Sequence, residues 1–175
     1  MYRILIVDDE ENIVNSLKRC LRKIADWEVE TFTSGAEALR RAEASAFDLF
    51  ISDFRMPEMN GVEFLSQVKK IQPHSARIIL SGYTDLEALV GAINEAEIFR
   101  FINKPWNDYE LILTIEQALK HKDMLTENLY LANQVREQNT KLNENEKIFS
   151  KLEEQSPGIT QVNWSDDGSI TIDDD

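Results

Sequence analysis

The chain is poor in the residues that make covalent staples, nucleic-acid surfaces and membrane spans. One cysteine in 175 residues excludes an internal disulfide and fits a reducing compartment. That residue, Cys20, falls among Ile13, Leu17, Leu21 and Ile24 at helical spacing, which is the place of a core thiol. Basic residues are scarce: 19 Lys and Arg stand against 32 Asp and Glu, a net charge of −13. A nucleic-acid surface needs clustered cations, so no nucleic-acid partner is expected. Long apolar runs are missing as well. The N-terminal one, Ile4 to Val7, stops at two acids, too short for a secretory signal or a membrane span. No membrane partner is expected, and the expected location is the cytoplasm. The two histidines are His74, beside Pro73, and His121, in a helical pattern; both are expected to be exposed. Gly-rich nucleotide loops, zinc-ligand spacings and Ser-His-Asp arrangements are not evident.

What is present is a regular alternation. Apolar content of 42% and charged content of 29% suit one globular core with an appendage. Ile4 to Val7, Val29 to Thr33, Leu49 to Ser52, Ile78 to Leu80 and Phe99 to Ile102 are short apolar runs, the pattern of buried parallel strands. Helical patterns lie between them. Ile13, Leu17, Cys20, Leu21 and Ile24 share a face, with Glu10 and Glu11 near the favourable end of the dipole. Ser34-Gly35 precedes an Ala-rich helix from Ala36 to about Ala44. Asn60-Gly61 opens a third carrying Val62, Leu65, Val68 and Ile71, which Pro73 stops. Asp85 caps a fourth, and Pro105 and Asp108 precede a fifth. Five β-α units imply an α/β fold with a doubly wound parallel sheet.

From Asp108 to about Gln155 there is neither Pro nor Gly, so one helix of about 70 Å is expected, at ~1.5 Å per residue. Met124, Asn128, Leu131, Val135, Gln138, Leu142, Asn145, Phe149 and Leu152 follow a 4-3 spacing. That is a coiled-coil seam interrupted by polar residues, which restrict register and partner number. A homodimer through this helix is the expected assembly, with a solvated helical linker as the plainer reading. Pro157-Gly158 breaks the helix, and Ile159–Trp164 and Ile170–Ile172 flank Asp166-Asp167-Gly168-Ser169 as a hairpin in an acidic tail. The expected organisation is a domain over 1–120, a helical extension over 121–155 and a tail over 156–175.

The strand-like runs end in a coherent set of polar residues: Asp8 and Asp9, Asp53, Ser81 and Lys104. In open α/β sheets, function collects at the carboxyl ends of the strands. A lone Asp after a strand is ordinarily a cap or turn residue, and a lone Ser or Lys is ordinarily solvated. All five at consecutive strand ends point instead to one crevice. Three carboxylates there repel one another, and a hard divalent cation such as Mg²⁺ relieves this while keeping sites for a phosphate. An Asp carboxylate in such a place can attack a phosphoryl group. Lys104 would offset phosphoryl charge and Ser81 would donate a hydrogen bond.

Ile6-Val7-Asp8-Asp9-Glu10, Ser52-Asp53-Phe54-Arg55-Met56-Pro57-Glu58-Met59-Asn60-Gly61, Leu80-Ser81-Gly82 and Phe101-Ile102-Asn103-Lys104-Pro105 resemble the receiver domain of two-component response regulators. The resemblance covers about residues 1–120. It implies a flavodoxin-like fold with strand order 2-1-3-4-5, and a phosphoacceptor signalling protein rather than an enzyme. By this resemblance Asp53 accepts phosphate from a histidine kinase or phosphotransfer protein. Asp8, Asp9, Asp53 and the backbone carbonyl of Arg55 hold Mg²⁺, and Lys104 contacts the phosphoryl group. The Lys104-Pro105 bond is implied to be cis, an isomer largely confined to proline. Ser81 and Phe101 match the family's switch pair, and Arg55 and Tyr83 stand where dephosphorylation is tuned. A haloacid-dehalogenase-type phosphatase would need a second Asp two residues after the first-strand nucleophile. Glu10 stands there instead, and Asp53 would be unexplained. Such receivers precede varied effectors, so the chain reads either as a single-domain regulator with a helical tail or as the N-terminal part of a larger one.

Overall fold

Each of the expected apolar runs is a strand. In this computed structural model, which describes residues 1–82 and 96–156, the strands are β1 (Tyr2–Val7), β2 (Trp27–Phe32), β3 (Leu49–Asp53), β4 (Ala76–Ser81) and β5 (Arg100–Asn103). All neighbours pair in parallel, in the order β2-β1-β3-β4-β5. The connecting helices are α1 (Glu11–Leu21), α2 (Gly35–Ala44) and α3 (Gly61–Ile71), and a long C-terminal helix runs Asp108–Gln155. This is a flavodoxin-like, doubly wound fold, with the strand order that the resemblance implied. The fourth expected helix, from Asp85, Tyr83 and the hairpin after Pro157 lie outside the described residues.

Side chains alternate across a strand, so a continuous apolar run must be covered on both faces. Leu5, Val7, Phe50 and Ile79 point to the layer that holds Ala38, Leu39 and Ala42 of α2 and Phe64, Leu65 and Val68 of α3. Ile4, Ile6, Leu49, Ile51, Ile78 and Leu80 point to the other, against Leu17, Cys20 and Leu21 of α1 and Leu111, Ile115, Ala118 and Leu119 of the C-terminal helix. Cys20 is buried, as its spacing implied.

Two local expectations differ from the structure. Ile24 is not on α1, which ends at Leu21; its carbonyl instead accepts from Trp27 N–H at 3.2 Å, closing a turn into β2. That turn starts β2 two residues before Val29, because Trp27 is already paired with Tyr2. The chain divides into two compact units, Met1–Glu127 and Asn128–Asp175. Among the described residues no helix is long and apolar enough to cross a membrane.

Candidate phosphoacceptor site

The carboxyl ends of β1, β3, β4 and β5 deliver the site. Asp8 follows β1 directly and is fully buried. Its Oδ1 accepts the Glu10 backbone N–H at 2.9 Å, and its Oδ2 accepts Lys104 Nζ at 2.7 Å. Asp53 ends β3, is 6% exposed, and its Oδ1 lies 2.6 Å from the same ammonium. Its Oδ2 accepts the Arg55 backbone N–H at 2.8 Å. Asp9 is exposed at the rim, and the carboxylates of Asp8, Asp9 and Asp53 offer oxygen atoms all within 4.8 Å of one another.

Lys104 is held from its own backbone: its N–H donates to Ser81 O at 2.8 Å, one residue past the Ser81–Asn103 register pair. The Lys104-Pro105 peptide is cis, as the resemblance implied. Burial acts to lower the Lys104 pKa, but its hydrogen bonds to Asp53 and Asp8 outweigh it, and the ammonium is held above its ordinary value. At Asp8 the balance is the reverse. Burial pushes the carboxyl up, against the pull of Lys104 and the Glu10 N–H. The buried acid is thus short of compensating positive charge, which an oxygen-seeking dication would supply. The donors are carboxylates, the ligand type that Mg²⁺ prefers.

Ser81 is fully buried, and its hydroxyl has no hydrogen-bond partner among the described residues. Buried polar atoms are seldom left so. Phe101 pairs with Ile79 in register and packs, half-buried, against the α2/α3 layer. The arrangement therefore unites Asp8, Asp9, Asp53 and Lys104 directly, with Ser81 one strand from Asp53 and Arg55 touching Asp53 through its amide.

Two contributors, Ser52 and Gly61, were given no site role from the sequence, and a third, Asn60, was read only as the opening of α3. The Ser52 hydroxyl donates to the Asp53 carbonyl at 2.9 Å. A Cβ on Gly61 would stand 2.0 Å from that carbonyl oxygen, so only glycine fits. Asn60 accepts from Val62 and Glu63 N–H, while Glu63 accepts Asn60 N–H, a capping box that starts α3 beneath the loop. Only the last has a sequence signal, Asn followed three residues later by Glu.

The family model of the response regulator receiver domain matches residues 4–116. The hydrogenase transcriptional regulatory protein HoxA of Bradyrhizobium diazoefficiens is 36% identical over 117 residues, 67% of this chain and 24% of that protein. The DNA-binding transcriptional regulator NtrC of Escherichia coli K12 is 34% identical over 118 residues, 67% of this chain and 25% of that protein. The chain thus spans about a quarter of the length of these curated relatives. Among solved structures, the signal receiver domain of an HD domain-containing protein from Pseudomonas fluorescens Pf-5 superposes with a TM-score of 0.67 at 35% identity, covering 70% of this chain and 98% of that one. With its sheet order and its strand-end acids, this chain belongs to the response regulator receiver domain family.

Proposed function

We propose that the chain accepts a phosphoryl group on Asp53 from the phosphohistidine of a histidine kinase or phosphotransfer protein. The observation that carries this reading is the meeting of three carboxylates within 4.8 Å, with Lys104 Nζ 2.6 Å from Asp53. An Asp53 carboxylate oxygen forms the new P–O bond as the P–N bond of phosphohistidine breaks, and the imidazole leaves with the electron pair. Asp8, Asp9, Asp53 and the Arg55 backbone carbonyl would hold Mg²⁺, which supplies positive charge to the ionised carboxylates and to the phosphoryl oxygens. Lys104 exchanges a carboxylate contact for a phosphoryl oxygen. Ser81, whose buried hydroxyl has no partner among the described residues, donates to another. That new bond is a differential contact of the kind needed to shift an equilibrium, and Phe101 turns inward with it. Arg55 and Tyr83 tune the return to the free acid.

The output is protein–protein contact, in which two copies pair through the C-terminal helix and phosphorylation alters that pairing. A phosphodonor such as acetyl phosphate tests the first step. Intact mass should show a single phosphate adduct with Mg²⁺, little without it, and none in Asp53→Asn. An adduct that survives Asp53→Asn on a folded chain removes the assignment.

A further inference from the structure

At the opposite ends of the strands, about 16 Å from the acids at ~3.3 Å per residue, the C-terminal helix is tied to the sheet by polar contacts. Every polar group of Asp48 is used there. Its N–H donates to Arg3 O at 2.8 Å and its carbonyl accepts Ala76 N–H at 2.8 Å. Its Oδ2 accepts Arg3 N–H at 2.8 Å, and its Oδ1 accepts Lys122 Nζ at 2.7 Å. The next helix residue, Asp123, accepts the Tyr2 hydroxyl on Oδ2 at 2.5 Å and Lys122 Nζ on Oδ1 at 3.3 Å. The Lys122 and Asp48 side chains are 20% and 25% exposed, more enclosed than a rim ion pair.

Leu111, Ile115, Ala118 and Leu119 set the face that the helix turns to the sheet, and among the described residues no apolar side chain of the helix is buried beyond Leu119. Hydrogen bonds are directional. Two of them from adjacent residues, about 100° apart around the helix, restrain roll as well as position. From Met124 onward the large apolar side chains of the helix are exposed, so the tie sits where sheet packing gives way to the free seam.

We propose that Lys122 and Asp123 are positioning residues: seated on Asp48 and Tyr2, they set the roll of the C-terminal helix as it leaves the sheet, so that the seam beyond reports the state of Asp53. This rests on the dimer reading above for its consequence, though not for the tie itself. Neither residue belongs to the phosphoacceptor site, and the variants should take up phosphate as the parent does.

Two arms test it on the full chain. In a Cys20→Ala background, spin labels at Glu43→Cys and Glu127→Cys, diluted into excess unlabelled chain, report one intrachain distance. Lys122→Met with Tyr2→Phe should at least double the width of that distribution with helix content unchanged. Lys122→Arg, which keeps a cation on Asp48, should leave it narrow. In the second arm, acetyl phosphate should change the dimer affinity of the double variant less than twofold, against a larger change in the parent. An unaltered width in the double variant overturns the tie, and a parental phosphate response in it overturns the coupling. If the parent itself neither dimerises nor takes phosphate, the functional reading has failed, and the label width still decides the tie.

Discussion

At Gly61 a side chain is excluded by a backbone atom eight residues earlier. The Asp53 carbonyl that a Cβ would meet at 2.0 Å is also the acceptor of the Ser52 hydroxyl, and Gly61 N–H donates to Phe54 O at 2.9 Å. The backbone carrying the Asp53 carboxylate is thus pressed onto the start of α3. Gly61→Ala should destabilise the fold by about 2–3 kcal/mol, the cost of overpacking a site with nothing soft to move. It should also slow phosphate uptake from acetyl phosphate roughly tenfold, since a small misplacement of a reacting group is costly. Urea unfolding and adduct formation by mass measure the two; a variant as stable and as fast as the parent would show that the loop yields. Asp8, Asp9, Asp53, Ser81 and Lys104 were legible because each closes or follows an apolar run, and strand ends in such sheets are adjacent. The constraint on Gly61 was not, because it arises from a contact between the end of β3 and the start of α3. Nor was the Arg55 amide contact to Asp53, since any residue but proline carries that donor.

At the scale of elements, legibility followed burial. β1, β3 and β4 are covered on both faces, so their composition is nearly all apolar and their positions stood out. β2 is an edge strand, half-exposed and mixed, and its start is fixed by pairing with Tyr2 rather than by its own residues. Its charges have a role there. Glu30 accepts from Arg3 Nη2 at 2.6 Å and Arg41 Nε at 2.7 Å, and the Arg3 guanidinium lies over the Phe47 ring at 4.5 Å. The Arg41 hydrogen bond, aided by Arg3 and opposed by burial, holds the Glu30 carboxyl below its ordinary 4.5. A carboxyl lowered in the folded state adds stability that is full above the unfolded value and is lost as pH falls through the folded one. Glu30→Gln should therefore be less stable than the parent at pH 7, with the gap shrinking as pH falls from about 5 toward 3. Urea midpoints at several pH values check this, and a gap that widens in acid contradicts it. The C-terminal helix, Asp108–Gln155, was legible to its ends because proline and glycine are absent between them.

For the whole molecule, the question is what covers the helix beyond Glu127. Val135, Leu142 and Phe149 are each more than half exposed, and with Asn128 they fall at every seventh residue. Leu131, Gln138, Asn145 and Leu152 form the companion row three residues on. In a parallel, in-register pair each residue of the seam meets its own copy, so Asn128, Gln138 and Asn145 can hydrogen-bond to themselves rather than face hydrocarbon. One flanking pair agrees: Lys141 stands five residues before Glu146, the spacing that sets each lysine beside the glutamate of the second copy. Three polar layers limit the strength of the seam, so a dimer of moderate affinity is expected, formed at tens of micromolar. Val135→Asp with Leu142→Asp should abolish it, since burying four unpaired acids in place of four apolar groups weakens association by a hundredfold or more. Both side chains are exposed in the single chain, so the receiver domain and its phosphate uptake should be untouched. Sedimentation of the parent and the variant, each with and without acetyl phosphate, measures the assembly. A parent that stays monomeric in both states, or a variant that dimerises as the parent does, removes the seam as the contact through which phosphorylation is read.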